Sequence, residues 1–110
     1  MAFEVFKNDS GKFYFNLKAS NGQVILSSQG YAAKSGAMNG VQSVVNHAGD
    51  DGNFERKEAK DGSVYFTLKA SNGQVIGKSQ MYKAASGMEN GIASVKKNAT
   101  ADAAVKDLSA

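Results

Sequence analysis

Hydrophobic and polar positions alternate in two stretches of the chain that are spelled almost alike. From Lys12 to Ala19 (KFYFNLKA), Phe13, Phe15 and Leu17 share one face while Tyr14, Asn16 and Lys18 share the other. This is the period of two of a strand with one buried side. Asn21-Gly22 follows, a pair that predicts a type I′ hairpin turn with two residues at positive φ. Gln23 to Ser28 (QVILSS) then returns as the partner strand. Ahead of the hairpin, Phe3 to Lys7 (FEVFK) alternates loosely and predicts a first strand, set apart by the turn cluster Asn8-Asp9-Ser10-Gly11. Behind the hairpin the period changes. Ala37, Gly40, Val41 and Val44 recur at spacings of three and four and predict a helix over Ser35 to Ala48.

The whole order is written twice. A shift of 51 residues superposes Phe3 on Phe54 and Ala48 on Ala99 without a gap, and 25 of these 46 pairs are identical. Self-similarity at this level is a duplication, and it governs the rest of the reading. In the second copy Val64, Phe66 and Leu68 take the inner face, Asn72-Gly73 takes the turn, and Met88, Gly91, Ile92 and Val95 form the helical stripe. Gly40 and Gly91 lie inside the helices, where Gly costs about 0.8–1 kcal/mol relative to Ala. Their presence in both copies predicts close packing of the helix on the sheet. In the first strand Val5 and Phe6 become Arg56 and Lys57, so this strand is expected to be buried mainly at its start, with its distal part at a sheet edge. Gly49 to Asn53 forms a short polar connector. The last stretch, residues 100–110, is Ala-rich and weakly periodic and is expected to be a mobile tail.

One copy of about 48 residues buries too little apolar surface to be comfortable alone. With no Cys in the chain, no disulfide can staple it. The expected solution is one domain over residues 1–99, in which repeats 3–48 and 54–99 share a core about a pseudo-two-fold axis, as a symmetric dimer would. The predicted class is α+β: a tandem strand-strand-strand-helix unit and an antiparallel sheet of about six strands, with both helices on the face carrying Phe13, Phe15, Phe66 and Leu68. A monomer with pseudo-dimeric repeats is expected.

Read together, F-E, then Y-F-x-L-K-A-S-N-G-Q-V-I, then S-Q-x-Y, then S-x-x-x-N-G-I-x-S-V-K-K-N-A resembles the YegP-like family of small bacterial proteins of unknown function, in its duplicated form. Phe3, Glu4, Leu17 to Ile25, Tyr31, Ser35, Asn39, Gly40, Ser43 and Val44 carry the match in the first copy. Phe54, Glu55, Leu68 to Ile76, Tyr82, Ser86, Asn90, Gly91, Ser94, Val95 and Asn98 carry it in the second. The resemblance implies a repeated strand-strand-strand-helix unit whose single-copy relatives pair as dimers. It implies no activity, substrate or cofactor.

Candidate chemistry is sparse. The single His, His47, faces Asn98 in the other copy and reads as a solvated surface residue. Glu4 and Glu55 are paired by the repeat, with no metal-loop or hydrolase spacing around them, and Gly36, Gly40, Gly87 and Gly91 fall inside helices instead of in a phosphate-binding turn. No catalytic residue, cofactor or metal is expected. The N-terminus has no basic segment followed by an apolar run, and no apolar stretch approaches membrane-spanning length, so a soluble, cytoplasmic protein without membrane contact is expected. The leading expectation is a non-enzymatic binding or interaction module of unknown partner. Its candidate surface is the open sheet face, with Tyr14, Lys18, Tyr65 and Lys69. Tyr rings beside Lys also suit stacked bases and phosphates, so weak single-stranded nucleic-acid binding is the alternative. A formal charge of +3 gives it little support. An enzyme of unrecognised class is the third. Tyr31 and Tyr82 are assigned to the seam between helix and sheet.

Overall fold

The computed structural model describes residues 2–19, 21–100 and 102–109. The first repeat forms β1 (Ala2–Lys7), β2 (Phe13–Lys18), β3 (Val24–Ser27) and α1 (Lys34–His47). The second forms β4 (Phe54–Glu58), β5 (Val64–Lys69), β6 (Val75–Lys78) and α2 (Ala85–Asn98). A further strand, β7 (Ala104–Asp107), closes the chain. The sheet runs β4-β5-β6-β3-β2-β1-β7, so the repeats meet where β3 lies antiparallel to β6. Ser27 pairs there with Lys78, its own equivalent at the 51-residue offset, and the pseudo-two-fold axis passes between them.

The alternation in β2 and β5 does what it predicts. Phe15, Leu17, Phe66 and Leu68 are fully buried and join Phe3, Val5 and the helical stripes of both repeats in one cluster. Phe13 is only partly buried and packs against that cluster from its rim, with Lys7 Nζ 5.8 Å from its ring centre. The helices straddle the seam between the repeats. Helix α1 touches β1 and β2 and also β5 and β6; α2 touches β5 and also β2 and β3. The helix glycines are explained by aromatic rings. A Cβ at Gly40 would lie 2.6 Å from Tyr31 Oη and 2.7 Å from Phe15 Cε2, and at Gly91 it would meet the Tyr82 hydroxyl. Each Tyr ring stacks on the Phe beneath it at 6.4 Å, Tyr31 on Phe15 and Tyr82 on Phe66. The seam placement of both tyrosines therefore holds.

Four local expectations need correction. The hairpin turns are not type I′: among the described residues only glycines take positive φ, with Gly22 at 85° and Gly73 at 86°. Gly22 donates to Ala19 O at 2.9 Å, and Asn21 Oδ1 accepts from the Gln23 amide, so Asn serves through its side chain while Gly22 supplies the positive φ. The sheet has seven strands, not six. Where a mobile tail was expected, Ala104–Asp107 pairs in parallel with β1, and the Leu108 amide donates to Val5 O at 2.7 Å. That strand also moves the edge. In the second repeat the charged strand Phe54–Glu58 is an edge, as predicted, but in the first β1 is covered by β7 and Val5 is fully buried.

The repeats differ most tellingly beside the axis. Leu26 and Gly77 are equivalent positions, and a Cβ on Gly77 would lie 2.6 Å from Leu26 Cγ. The fully buried Leu26 thus fills space that its counterpart leaves empty. Gly77→Leu should destabilise the protein by about 1–3 kcal/mol through overpacking. Leu26→Gly should cost about 2–5 kcal/mol through a cavity. The exchanged pair Leu26→Gly with Gly77→Leu should recover most of the combined loss. Urea denaturation followed by circular dichroism, suited to a chain without Trp, measures this; simple additivity of the two losses would refute the knob-and-hole account.

Candidate functional site

Two surfaces present polar groups in an ordered way. The first is the sheet face away from the helices, where the sequence places Tyr14, Lys18, Tyr65 and Lys69. A single row of paired residues crosses this face: Lys106, Glu4, Asn16, Ser27, Lys78, Thr67 and Glu55. Both candidate lysines are held by carboxylates. Lys18 pairs with Glu4 at 3.0 Å, and Lys69 pairs with Glu55 at 2.8 Å. Tyr14 stacks on Phe6 at 5.7 Å and its hydroxyl accepts from Asn8 Nδ2. Lys78 Nζ sits 4.9 Å from the centre of the Tyr65 ring. The four residues thus share one face but fall into two groups, one in each repeat, with β3 and β6 between them.

The second surface was not anticipated as a site. A cleft of about 190 Å³ opens where α2 meets the hairpin of the first repeat. The hairpin contributes Ala19, Asn21, Gln23 and Ile25; the second repeat contributes Gln80, Tyr82, Gly87, Asn90, Gly91 and Ser94. Neither repeat could form it alone. Every one of these ten residues is identical at the equivalent position 51 residues away. The equivalent ten residues lie on α1, the segment ahead of it and the second hairpin, and α1 touches β5 and β6.

Each cleft serine is held from one turn further along its helix. Asn98 Nδ2 donates to Ser94 O at 2.8 Å and to Ser94 Oγ at 3.1 Å. At the equivalent position, His47 Nδ1 lies 2.7 Å from Ser43 O, while its Nε2 lies 3.3 Å from the Ser71 amide. With the Ser71 amide donating to Nε2, the tautomer that matches these partners donates from Nδ1 to Ser43 O. The expectation of a solvated surface His is thereby corrected: the ring is half-buried and ties α1 to the second hairpin. Burial raises the Tyr31 hydroxyl pKa, with Gln29 opposing part of the effect.

The strong charge interactions gather around β4, where Glu55 and Lys69 belong to the outer sheet face, and at the Lys34–Asp107 pair. Hydrogen bonds from Lys96 and then Arg56 hold Asp51 down at about 2, and bonds from Lys69 and then Lys57 hold Glu55 down at about 2. Arg56 also chelates Glu89, at 2.6 and 2.9 Å. Among the described residues no three of His, Asp and Glu gather as a metal site requires. These folded-state carboxyl pKa values lie below the unfolded values of about 4. Their stabilisation is complete above about pH 4 and is lost as pH falls toward 2. The urea midpoint should therefore stay level from neutrality to about pH 5 and drop below pH 4, less steeply in about 1 M salt, which screens exposed pairs. A midpoint indifferent to pH down to 2 would contradict this assignment.

Comparison with known proteins agrees with the duplicated architecture. The model of the domain of unknown function DUF1508 matches twice, over residues 8–55 and 59–107. Its second match ends on the last residue of β7. The UPF0339 protein YegP of Escherichia coli is 47% identical over 105 residues, covering 96% of this chain and 94% of its own. A UPF0339 protein of Bordetella pertussis is 50% identical over 95 residues, covering 86% of each chain. The solution structure of a UPF0339 protein from Shewanella oneidensis superposes with a TM-score of 0.92 at 44% identity, covering 98% of this chain and 91% of its own. Two matched units, relatives of nearly equal length and a shared fold together place this chain in the DUF1508 (UPF0339) family.

Proposed function

We propose that the protein is a non-enzymatic binding module whose ligand sits in the clefts between each helix and the hairpin of the other repeat. One observation carries this reading. All ten cleft residues are unchanged between the repeats, against 25 of 46 pairs overall. Packing accounts for Tyr82, Gly91 and Ile25, but it does not account for the exposed amides. Asn39 and Asn90 are exposed in mid-helix, where Ala would hold the helix better. Their exposed neighbours have drifted freely: Met38 became Glu89, Gln42 became Ala93 and Asn46 became Lys97. Gln23 and Gln29 are likewise exposed and likewise kept as Gln74 and Gln80. A ligand that touches these groups explains why they were held while the surface around them changed. The cleft offers amides, a hydroxyl and a Tyr ring, which bind and orient but supply no carboxylate, imidazole or ammonium for acid–base work.

The outer sheet face is the second reading, supported by the Lys78–Tyr65 contact and the duplicated Tyr14, Lys18, Tyr65 and Lys69. It ranks lower because ion pairs already occupy the candidate lysines. Screening a mixed-chemistry fragment library by NMR separates the two. Hits should move the side-chain amides of Asn21, Asn39, Asn72 and Asn90; hits confined to Tyr14, Lys18, Tyr65 and Lys69 would transfer the function to the sheet face.

The same reading makes the two repeats, 3–48 and 54–99, one domain that β7 extends to Asp107, because the cleft and the core draw on both repeats. Residues 1–50 alone should be unfolded or self-associated at low concentration. A cooperative thermal transition from a dilute monomer of that half would refute it.

A further inference from the structure

Resting on this reading of the clefts, we propose that each cleft takes one ring of a neutral saccharide. The argument is chemical complementarity. None of the ten lining residues carries a formal charge. A phosphate or carboxylate ligand would be desolvated there without a lining cation to compensate it, which is costly. A wholly apolar ligand would strip water from Asn21, Gln23, Gln80 and Asn90 and return no hydrogen bonds. A side-chain amide presents a donor and an acceptor side by side. A sugar hydroxyl is also both donor and acceptor, so neighbouring hydroxyls can each engage one end of the same amide.

The apolar part of the cleft fits the other half of a sugar. Gly87 and Gly91 bring the α2 backbone close to the Tyr82 ring, and Ile25 and Ala19 add apolar atoms to the lining. This gives a smooth patch on which the C–H face of a pyranose can rest. Ser94 adds a hydroxyl whose oxygen already accepts from Asn98 Nδ2, leaving its own proton free to be donated. The volume of about 190 Å³ is below the roughly 300–1,000 Å³ of drug-sized sites and suits a single ring. The equivalent residues at the other junction provide a second place for the same ring.

The experiment is a titration of the full-length, isotope-labelled protein with maltotriose, cellotriose and chitotriose, alongside inorganic phosphate and a glutamine-containing dipeptide. At least one trisaccharide should shift the side-chain amide signals of Asn21, Asn39, Asn72 and Asn90. The double variant Asn39→Ala with Asn90→Ala should weaken that binding by about tenfold or more. The same variant should melt at or above the wild-type temperature, because Ala favours the helix. Loss of binding without loss of stability is a combination that a purely structural role for these amides would not produce. If the dipeptide or phosphate moves the cleft amides and no trisaccharide does, the saccharide assignment falls while the cleft remains the site. If no probe moves them, or if trisaccharide shifts map to the outer sheet face, the saccharide assignment falls together with the cleft as its site.

Discussion

The structure depends on two helices that each lie across a seam their own repeat cannot close. The backbone joins the repeats weakly, through β3 and β6, which pair at Ser27 and Lys78. The side chains do most of the joining. Helix α1 rests on strands of both repeats, as does α2, so the apolar stripes Ala37–Val41–Val44 and Met88–Ile92–Val95 bury against a sheet larger than either half provides. Stacking of Tyr31 on Phe15 and of Tyr82 on Phe66 sets the height of each helix above the sheet, and the helix glycines permit that height. The clefts are a by-product of this geometry, since a helix that reaches across the seam leaves a recess beside the neighbouring hairpin.

The two ends of the sheet are protected by different means. On one side β4 carries Arg56 on its helix-side face, bound to Asp51 and Glu89, and Lys57 on the other face, bound to Glu55, which presents charge to any incoming strand. On the other side β1 keeps Val5 in the core and is covered by β7, which Lys34 and Asp107 fasten to the start of α1 at 2.8 Å. The divergence of FEVFK from FERKE is therefore a division of labour set by what lies outside each strand.

Much of this was legible in the sequence. Alternation in KFYFNLKA and VYFTLK gave strand faces directly, because one side of each strand is buried. The helical stripes and the 51-residue offset were equally plain. Strand β7 was not, because all four of its residues are exposed and it is held by backbone pairing and one ion pair, neither of which leaves a periodic trace. The turn geometry was misread because Asn-Gly fits two kinds of hairpin, one of which uses only the glycine's left-handed backbone. The role of His47 depends on Ser71, 24 residues away, and the cleft on residues from both repeats, so no local motif announces either. A signal was nonetheless present. The identities between the copies include exposed polar positions on helices whose other exposed positions changed, and asking which surface residues resisted drift would have pointed to Asn39, Asn90 and the glutamines.

The leucine opposite a glycine beside the symmetry axis carries a genetic consequence. Each half supplies one member of a complementary pair, so doubling either half alone would not restore the contact. Two identical halves would place either two leucines or two glycines at that point. A fission of the coding sequence near residue 50 would accordingly yield two products that must be inherited as a pair.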